Sequence, residues 1–386
     1  MITIDELQNI GTPCYCYDAG LLKLTLESIS KAASCDKRFN IHYAVKANFR
    51  PEILNIISAA GLGADCVTGW EIDAALKAGF PASKIVYAGV GKTDDEIVFA
   101  LQNEIESFNV ESLPELKVLN ELAIKEGCVA NVAIRVNPGI DAHTHKYITT
   151  GLNDNKFGIT IDLLDSVIEI AQSLPGINLV GLHFHIGSQI TEFDCFKLLC
   201  DCINELYAKY AQKGIIFKSI NVGGGLGIDY QDPDRHPIPD FNSYFEVFAK
   251  NLVLAPDTKI HFELGRSIVA QCGSLLTKVL YVKETSTRRF AIVDAGMTDL
   301  IRTALYQAHH RIDPVYVQSN GQEEYKYDVV GPICESSDVF GTDELLPALE
   351  RGDILALRSA GAYGEAMASN YNMRPLPSYY IYNTTT

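Results

Sequence analysis

Positive charge is scarce in this chain. Lysine and arginine together number 32 against 48 aspartate and glutamate residues, so the formal net charge is −16 over 386 residues. Nucleic-acid binding requires clustered basic residues that neutralise phosphates, and we therefore exclude nucleic acid as a partner. A small anionic ligand is not excluded, because a few local arginines can outweigh the global charge.

Long apolar runs and dense cysteine patterns are also missing. No segment is long enough to span a bilayer, and residues 1–6 lack the basic and apolar regions of a signal peptide. The 10 cysteines are scattered and do not repeat the paired spacing of a zinc site, which favours buried free thiols in a reducing compartment. We expect a cytoplasmic protein with no membrane contact and no bound metal; the His143-x-His145 pair receives no metal either.

Short apolar, β-branched runs alternate with longer segments of helical periodicity between residues 40 and 266. The eight predicted strands are 41–45, 63–67, 85–89, 107–110, 132–136, 179–186, 219–222 and 260–263. Eight strands that alternate with helices predict an α/β fold with a closed (β/α)8 TIM barrel. A doubly wound open sheet is the alternative, but no Gly-x-Gly-x-x-Gly motif follows the first strand.

A change of texture after residue 266 predicts a second, mainly antiparallel β-domain. We place the barrel in residues 20–265 and the β-domain in residues 266–386, joined by a strand from residues 1–19. The charged stretch 311–326 is expected to be a solvated connection.

Lys46 ends the first predicted barrel strand, in the run Tyr-Ala-Val-Lys-Ala-Asn. A lysine at the end of an apolar strand is costly to bury unless its charge is neutralised or used, and an amine of lowered pKa suits Schiff-base chemistry. The alternative is a lysine that reaches from the strand end into solvent, and this run alone favours that alternative.

Three glycines, Gly223, Gly224 and Gly225, follow the seventh predicted strand. Barrels often bind phosphate at this loop, where glycines let backbone N–H groups approach an anion. The sixth strand ends in His183-Phe-His185, and an inward-facing imidazole there suits packing on a flat ring, while Ser188 offers a hydroxyl to a phosphate.

The eighth strand ends in Glu263-Leu264-Gly265-Arg266. This sequence places a carboxylate and a guanidinium three residues apart. A structural ion pair is the simplest interpretation. The functional alternative has Glu263 holding a heterocycle nitrogen protonated and Arg266 binding a substrate carboxylate or a phosphate.

Taken in order, these motifs resemble the fold-type III pyridoxal 5′-phosphate (PLP) decarboxylases with an alanine-racemase-like barrel, and among them the diaminopimelate decarboxylase family. The resemblance spans nearly the whole chain. The motifs that carry it, besides those above, are residues 61–65, 137–138, 156–158, 294–297, 334–338 and 361–363.

The resemblance implies PLP as cofactor and a set of residues that bind it. Lys46 would bind the cofactor covalently, His185 would stack on its ring, and Glu263 would pair with its ring nitrogen. Asp65 and Arg135 would support Lys46 and the ring. The remaining cofactor contacts that it implies are Ser188, Gly223, Gly224, Gly225, Leu264, Gly265, Arg266 and Tyr363.

The resemblance also implies meso-diaminopimelate as substrate, L-lysine and carbon dioxide as products, and a homodimer with shared active sites. Arg302, Tyr306 and Arg266 would bind a substrate carboxylate, and Tyr363 would contact the substrate. Cys334 would be the proton donor and Glu335 the residue that binds the distal amino group, both from the other subunit.

Three positions depart from the family pattern, and three alternatives to this function are open. Leu264 and Thr303 stand where proline is usual, and Trp70 replaces a glycine, where it either crowds its loop or caps the next helix. Thr303 predicts a slightly more mobile loop around Arg302. The alternatives are an ornithine, arginine or carboxynorspermidine decarboxylase, a racemase on the same barrel, and a non-catalytic PLP-binding homologue.

Overall fold

The structure is a computed structural model, and it describes residues 11–140, 156–319 and 323–383. The predicted His143 and His145 loop, and residues 1–10 of the predicted N-terminal strand segment, lie outside the described residues. The chain divides into two compact units. One comprises Leu26–Gly227 and Asp240–Gly265, here called the barrel unit, and the other comprises Met1–Thr25, Ile228–Pro239 and Arg266–Thr386, here called the sheet unit.

The barrel unit contains eight main parallel strands. They are β2 (Phe39–Ala44), β3 (Gly63–Cys66), β4 (Ile85–Tyr87), β5 (Ser107–Val110), β6 (Ala130–Asn137), β8 (Ile177–His183), β9 (Ser219–Asn221) and β10 (Lys259–Leu264), with a two-residue strand β7 (Ile159–Thr160) beside β6. The first strand, β2, pairs with the last, β10, and β5 pairs with β6, so the sheet closes on itself. The predicted barrel is confirmed, and the open-sheet alternative is wrong.

Helices alternate with these strands. They are α2 (Pro51–Ala59), α3 (Gly69–Lys77), α4 (Asp94–Gln102), α5 (Leu113–Lys125), α6 (Ile161–Ser173), α7 (Asp194–Gln212) and α8 (Phe241–Asn251); α1 (Ala19–Ala33) precedes β2. Local signals start several of them. Thr93 and Glu96 form a reciprocal capping box at α4, and Ser112 accepts a hydrogen bond from Glu115 N–H at α5.

An aromatic cluster packs helix α8 against the outside of β10. The Phe262 ring lies 4.9 Å from Phe245, 5.1 Å from Phe248 and 4.9 Å from Phe39, each edge-on. Since neighbouring strand residues point to opposite faces, Glu263 and His261 face the barrel interior. There His42 and His261 share a 2.7 Å hydrogen bond across the β2–β10 pairing.

The sheet unit holds an eight-stranded, mainly antiparallel sheet. Its strands are β1 (Cys14–Asp18), β11 (Gly273–Glu284), β12 (Arg289–Val293), β13 (Ile312–Tyr316), β14 (Glu324–Val330), β15 (Val339–Pro347), β16 (Ile354–Leu357) and β17 (Ser378–Tyr382). Two short helices, α9 (Arg266–Val269) and α10 (Arg302–Tyr306), belong to the same unit. Among the described strands of this sheet, only the β1–β17 and β12–β14 pairings are parallel, so the predicted antiparallel character is confirmed.

The expectation that the charged stretch 311–326 is only a solvated connection is wrong. Strand β13 lies inside this stretch and pairs with β16. Arg311 pairs with Asp232 and Asp234, which are far away in sequence, and with the nearby Asp313. Arg358 also donates to Asp313, at 2.6 Å. Among the described residues, no helix is long and apolar enough to cross a membrane.

Candidate active site

The amine of Lys46 lies just beyond β2, in a turn of 3-10 helix over Val45–Ala47. Its Nζ atom is 3.4 Å from Oδ2 of Asp65, and its side chain is 42% exposed while that of Asp65 is fully buried. Burial raises the pKa of Asp65 to about 6, and the nearby Glu263 carboxylate acts in the same direction. The Lys46 amine is therefore accessible to a ligand and lies beside a buried carboxyl group.

Glu263 lies inside the barrel and accepts three side-chain hydrogen bonds. Asn221 Nδ2 donates at 2.7 Å, Asn109 Nδ2 at 3.1 Å, and His183 Nε2 lies 3.1 Å from its second oxygen. Burial alone would favour the neutral acid, but His183 and Lys46 outweigh it and lower the pKa of Glu263 below its ordinary value. Glu263 is thus a buried carboxylate that stays ionised.

The three glycines lie against neighbouring strand ends with no space for side chains. A Cβ at Gly224 would lie 1.9 Å from the Glu263 carbonyl oxygen, and one at Gly223 would lie 2.3 Å from that of Phe184. Gly223 and Gly225 adopt left-handed φ values of 72° and 110°, which favour glycine. The run is consequently a backbone-lined loop at the end of β9.

His185 is held by this loop. The Gly224 N–H donates to His185 Nδ1 at 3.2 Å, so the neutral ring carries its proton on Nε2. Burial, with help from the Arg135 cation, lowers the pKa of His185 to about 3. β8 ends at His183, so the prediction that this strand runs to residue 186 is wrong, and His185 and Ser188 lie in the following loop.

Arg135 faces the same interior from β6, where Glu111 fixes it. Its Nη1 donates to Glu111 Oε1 at 2.6 Å, and its guanidinium lies 4.7 Å from the centre of the Phe157 ring. Gly158 N–H donates to the other oxygen of Glu111 at 2.9 Å. Sequence reasoning missed Glu111, whose partners are distant along the chain.

The end of β10 carries the next two predicted residues, Leu264 and Gly265, with Leu264 buried. Arg266 begins α9 in the sheet unit, and its Nη1 donates to the Tyr230 hydroxyl at 2.7 Å. The Arg266 guanidinium also lies 5.0 Å from the centre of the Tyr363 ring. Tyr363 has a left-handed φ of 56°, unusual for an aromatic residue.

Arg302 is a second buried cation beside Tyr230. Its guanidinium is 5.3 Å from the Tyr230 ring centre and 5.9 Å from that of Tyr306, and its Nε donates to His310 Nε2 at 3.2 Å. His310 can accept because its Nδ1–H donates to the Arg358 carbonyl, and burial lowers the pKa of His310 to about 3. His310 was not predicted, and only its adjacency to His309 marks it in the sequence.

Cys334 and Glu335 are exposed neighbours on the loop between β14 and β15 of the sheet unit. Two of the departures from the family pattern have a structural account. Trp70 is 80% exposed in the first turn of α3, which Thr68 caps, so it neither crowds the loop nor caps the helix. Thr303 lies within the short helix α10.

Comparisons with known proteins agree with this geometry. The family model for the pyridoxal binding domain of pyridoxal-dependent decarboxylases matches residues 23–270. Diaminopimelate decarboxylase from Bacteroides thetaiotaomicron is 54% identical over 98% of this chain and 97% of its own length. The Aquifex aeolicus enzyme is 44% identical over 97% of this chain and 87% of its own.

A solved structure gives the same result. The crystal structure of Helicobacter pylori diaminopimelate decarboxylase complexed with L-lysine matches with a TM-score of 0.92 and 40% identity, and the match covers 98% of this chain and 94% of that one. The chain belongs to the pyridoxal-dependent decarboxylases and, within them, to the diaminopimelate decarboxylase family.

The residues of the barrel unit fit the pyridoxal cofactor of this family. Lys46 provides an accessible primary amine. Glu263 is ionised, and its two oxygens have capacity for one donor more than the three described, such as a protonated ring nitrogen. The backbone of the glycine loop suits a phosphate. When bound, the cofactor supplies an electron sink for the bond that breaks.

Proposed function

We propose that this chain decarboxylates meso-2,6-diaminopimelate at its D-centre and releases L-lysine and carbon dioxide, the last step of lysine biosynthesis. The observation that carries the proposal is the set of opposite charges in the sheet unit. Arg302 is a buried cation and Glu335 an exposed carboxylate, and with Glu335 supplied by a second chain the two suit a zwitterionic substrate end. The named relatives at 54% and 44% identity support the same activity.

The residues of the barrel unit hold the cofactor in this proposal. Lys46 binds it covalently, and the ionised Glu263 keeps its ring nitrogen protonated. His185 packs on the ring as a neutral imidazole and so adds no competing positive charge. Asp65 and Arg135 hold Lys46 and the ring side in place. Ser188, Leu264 and the loop from Gly223 to Gly225 contact the phosphate side together with Gly265.

The residues of the sheet unit recognise the substrate. Arg302, Arg266 and Tyr306 bind its carboxylate, and Glu335 binds the distal ammonium. Tyr363, whose ring lies over Arg266, contacts both substrate and cofactor. An ornithine decarboxylase has no distal carboxylate to bind and would not need Arg302, which is why we favour diaminopimelate.

Cys334 returns a proton to the carbon from which carbon dioxide has left. Its exposure, and that of Glu335, supports a site completed by a second copy of the chain, so we propose a homodimer with shared active sites. All ten cysteines are free thiols, which supports a reducing location such as the cytoplasm.

Product analysis tests the activity. With added PLP, meso-diaminopimelate should yield carbon dioxide and L-lysine, while ornithine, arginine and carboxynorspermidine should react far more slowly. Absence of turnover on meso-diaminopimelate would refute the proposal. Interconversion of enantiomers without carbon dioxide would instead identify a racemase.

A complementation assay tests the shared site. Lys46→Ala and Cys334→Ala chains should each be inactive, and mixing them should restore activity, because one site of a mixed dimer keeps both residues. Failure to recover after demonstrated subunit exchange would refute the dimeric site.

A further inference from the structure

The loop that carries Cys334 and Glu335 is fixed from the inside by Asp338. The buried Asp338 carboxylate accepts from Ile333 N–H at 2.7 Å and from Met297 N–H at 2.6 Å. These bonds set the base of the loop. They do not reach the exposed Cys334 and Glu335, which therefore need another support if they are to keep one orientation.

A turn near the C-terminus provides contacts to both residues. The Tyr371 hydroxyl donates to Glu335 Oε1 at 2.6 Å. The next residue, Asn372, accepts at its Oδ1 from Cys334 N–H at 3.2 Å. Two adjacent residues of the turn thus hold two adjacent residues of the loop.

The backbone of this turn is strained. Asn372 and Met373 have left-handed φ values of 54° and 58°, and only the asparagine tolerates this region well. Met373 is 97% exposed, so packing of its side chain does not explain the conformation. Hydrogen bonds from Met373 N–H to Asn370 and from Asn370 Nδ2 to Arg374 maintain the turn. Strain of this kind persists where the conformation serves a contact, here the two contacts to the loop.

We propose that Tyr371 is a specificity-determining positioning residue: its hydroxyl holds Glu335 Oε1, so that Oε2 faces the distal ammonium of the substrate. The inference rests on the proposed function for the role of Glu335. Asn372 has the corresponding task for the backbone of Cys334. The hydrogen bond to Glu335 raises the pKa of Tyr371, so its phenol stays protonated and donates at neutral pH.

Two probes isolate the contact with the ammonium group. L-lysine keeps the distal carboxylate and ammonium after decarboxylation, whereas 6-aminohexanoate lacks only that ammonium. Binding of each probe to the PLP-loaded enzyme is measured by calorimetry for the wild type, Tyr371→Phe and Glu335→Gln. Tyr325→Phe is the matched control, because it removes another exposed hydrogen bond between a tyrosine and a glutamate, on β14.

The wild type should prefer L-lysine over 6-aminohexanoate, and Tyr371→Phe should reduce this preference several-fold by weakening lysine binding alone. Glu335→Gln should reduce the preference for L-lysine as well. The double variant Tyr371→Phe/Glu335→Gln should show no further loss, because both substitutions remove the same contact with the ammonium group. For meso-diaminopimelate, Tyr371→Phe should raise KM with little change in kcat. Tyr325→Phe should match the wild type throughout.

Equal weakening of both probes in Tyr371→Phe, or an unchanged preference, would overturn the inference, since a purely structural role affects both probes alike. A fall in kcat at constant KM would overturn it as well. These outcomes are separable from failure of the proposed function. If the wild type is active and Tyr371→Phe keeps the same preference for L-lysine, only the inference is refuted. If the wild type is inactive on meso-diaminopimelate, the inference and the proposed function are both refuted.

Discussion

Glu263→Gln tests whether the barrel interior holds a permanently ionised carboxylate. The substitution keeps the shape and replaces one acceptor oxygen with an NH2 group. In the better orientation of the amide, its oxygen accepts from Asn109 and Asn221, and its NH2 faces His183 Nε2. The hydrogen bond from His183 to the charged carboxylate is lost, and the buried NH2 group of the glutamine faces another N–H donor instead of an acceptor. We expect a loss of about 3 kcal/mol in the free energy of unfolding.

The pH dependence of this loss follows from the lowered pKa of Glu263. A carboxyl with a lowered pKa in the folded state stabilises the fold at pH values above its unfolded pKa, about 4.3, and this stabilisation disappears as the pH falls towards the folded pKa. The loss that comes from Glu263 itself should therefore be fully present above about pH 4.3 and shrink as the pH falls below that value.

Urea unfolding followed by circular dichroism measures both effects. Glu246→Gln is the matched control, because Glu246 is 58% exposed and pairs with Lys250 one helical turn away, a contact worth about 0.3–0.5 kcal/mol. With PLP bound, Glu263→Gln should also lose about 100-fold or more in kcat, since an amide cannot hold a ring nitrogen protonated. Stability equal to that of Glu246→Gln at neutral pH would refute the ionised state of Glu263.

Three further substitutions test other parts of the barrel unit. Lys46→Ala removes the accessible amine and should abolish the visible absorbance of the bound cofactor; an unchanged absorbance would rule out Lys46 as the attachment point. Asp65→Asn should stabilise the fold above pH 6 by up to about 3 kcal/mol, because a raised pKa makes the wild type lose stability as pH rises from about 4 to 6; identical pH profiles in urea unfolding would contradict this. Gly224→Ala should cost about 1–3 kcal/mol or more by backbone collision, and it should weaken PLP retention in equilibrium dialysis. Gly91→Ala is the control, because a Cβ there meets open space, and it should change the free energy of unfolding by less than about 0.5 kcal/mol. Equal losses of stability in the two variants would mean that the glycine loop can shift to accommodate a side chain.

The barrel was predictable because each strand is a local pattern of apolar and β-branched residues followed by a polar end. Lys46, Asp65 and Glu263 could be located by that rule alone. Glu111 could not, because its role depends on Arg135 and Gly158, which only the folded barrel brings together.

The sheet unit was harder to predict, because its contacts also join residues that are distant in the sequence. The charged composition of residues 311–326 predicts a solvated connection, whereas Ile312–Tyr316 forms a strand in which Asp313 and Pro314 interrupt the apolar pattern. Arg311 and Arg358 both pair with Asp234, which is far away in sequence, as well as with Asp313. The roles proposed for Cys334 and Glu335 come from the resemblance to a family, because an exposed loop has no periodic pattern from which they could be predicted.

The pairing of β2 with β10 has a consequence for the synthesis of the protein. Lys46 follows the first strand of the barrel and Glu263 lies on the last, so a ribosome-bound chain that has not yet released β10 has no partner for the edge of β2 and no complete cofactor pocket. Parallel pairings between such distant segments form slowly. A ligand that binds only the closed barrel draws the equilibrium towards it, so the cofactor should stabilise the pairing of the first and last strands.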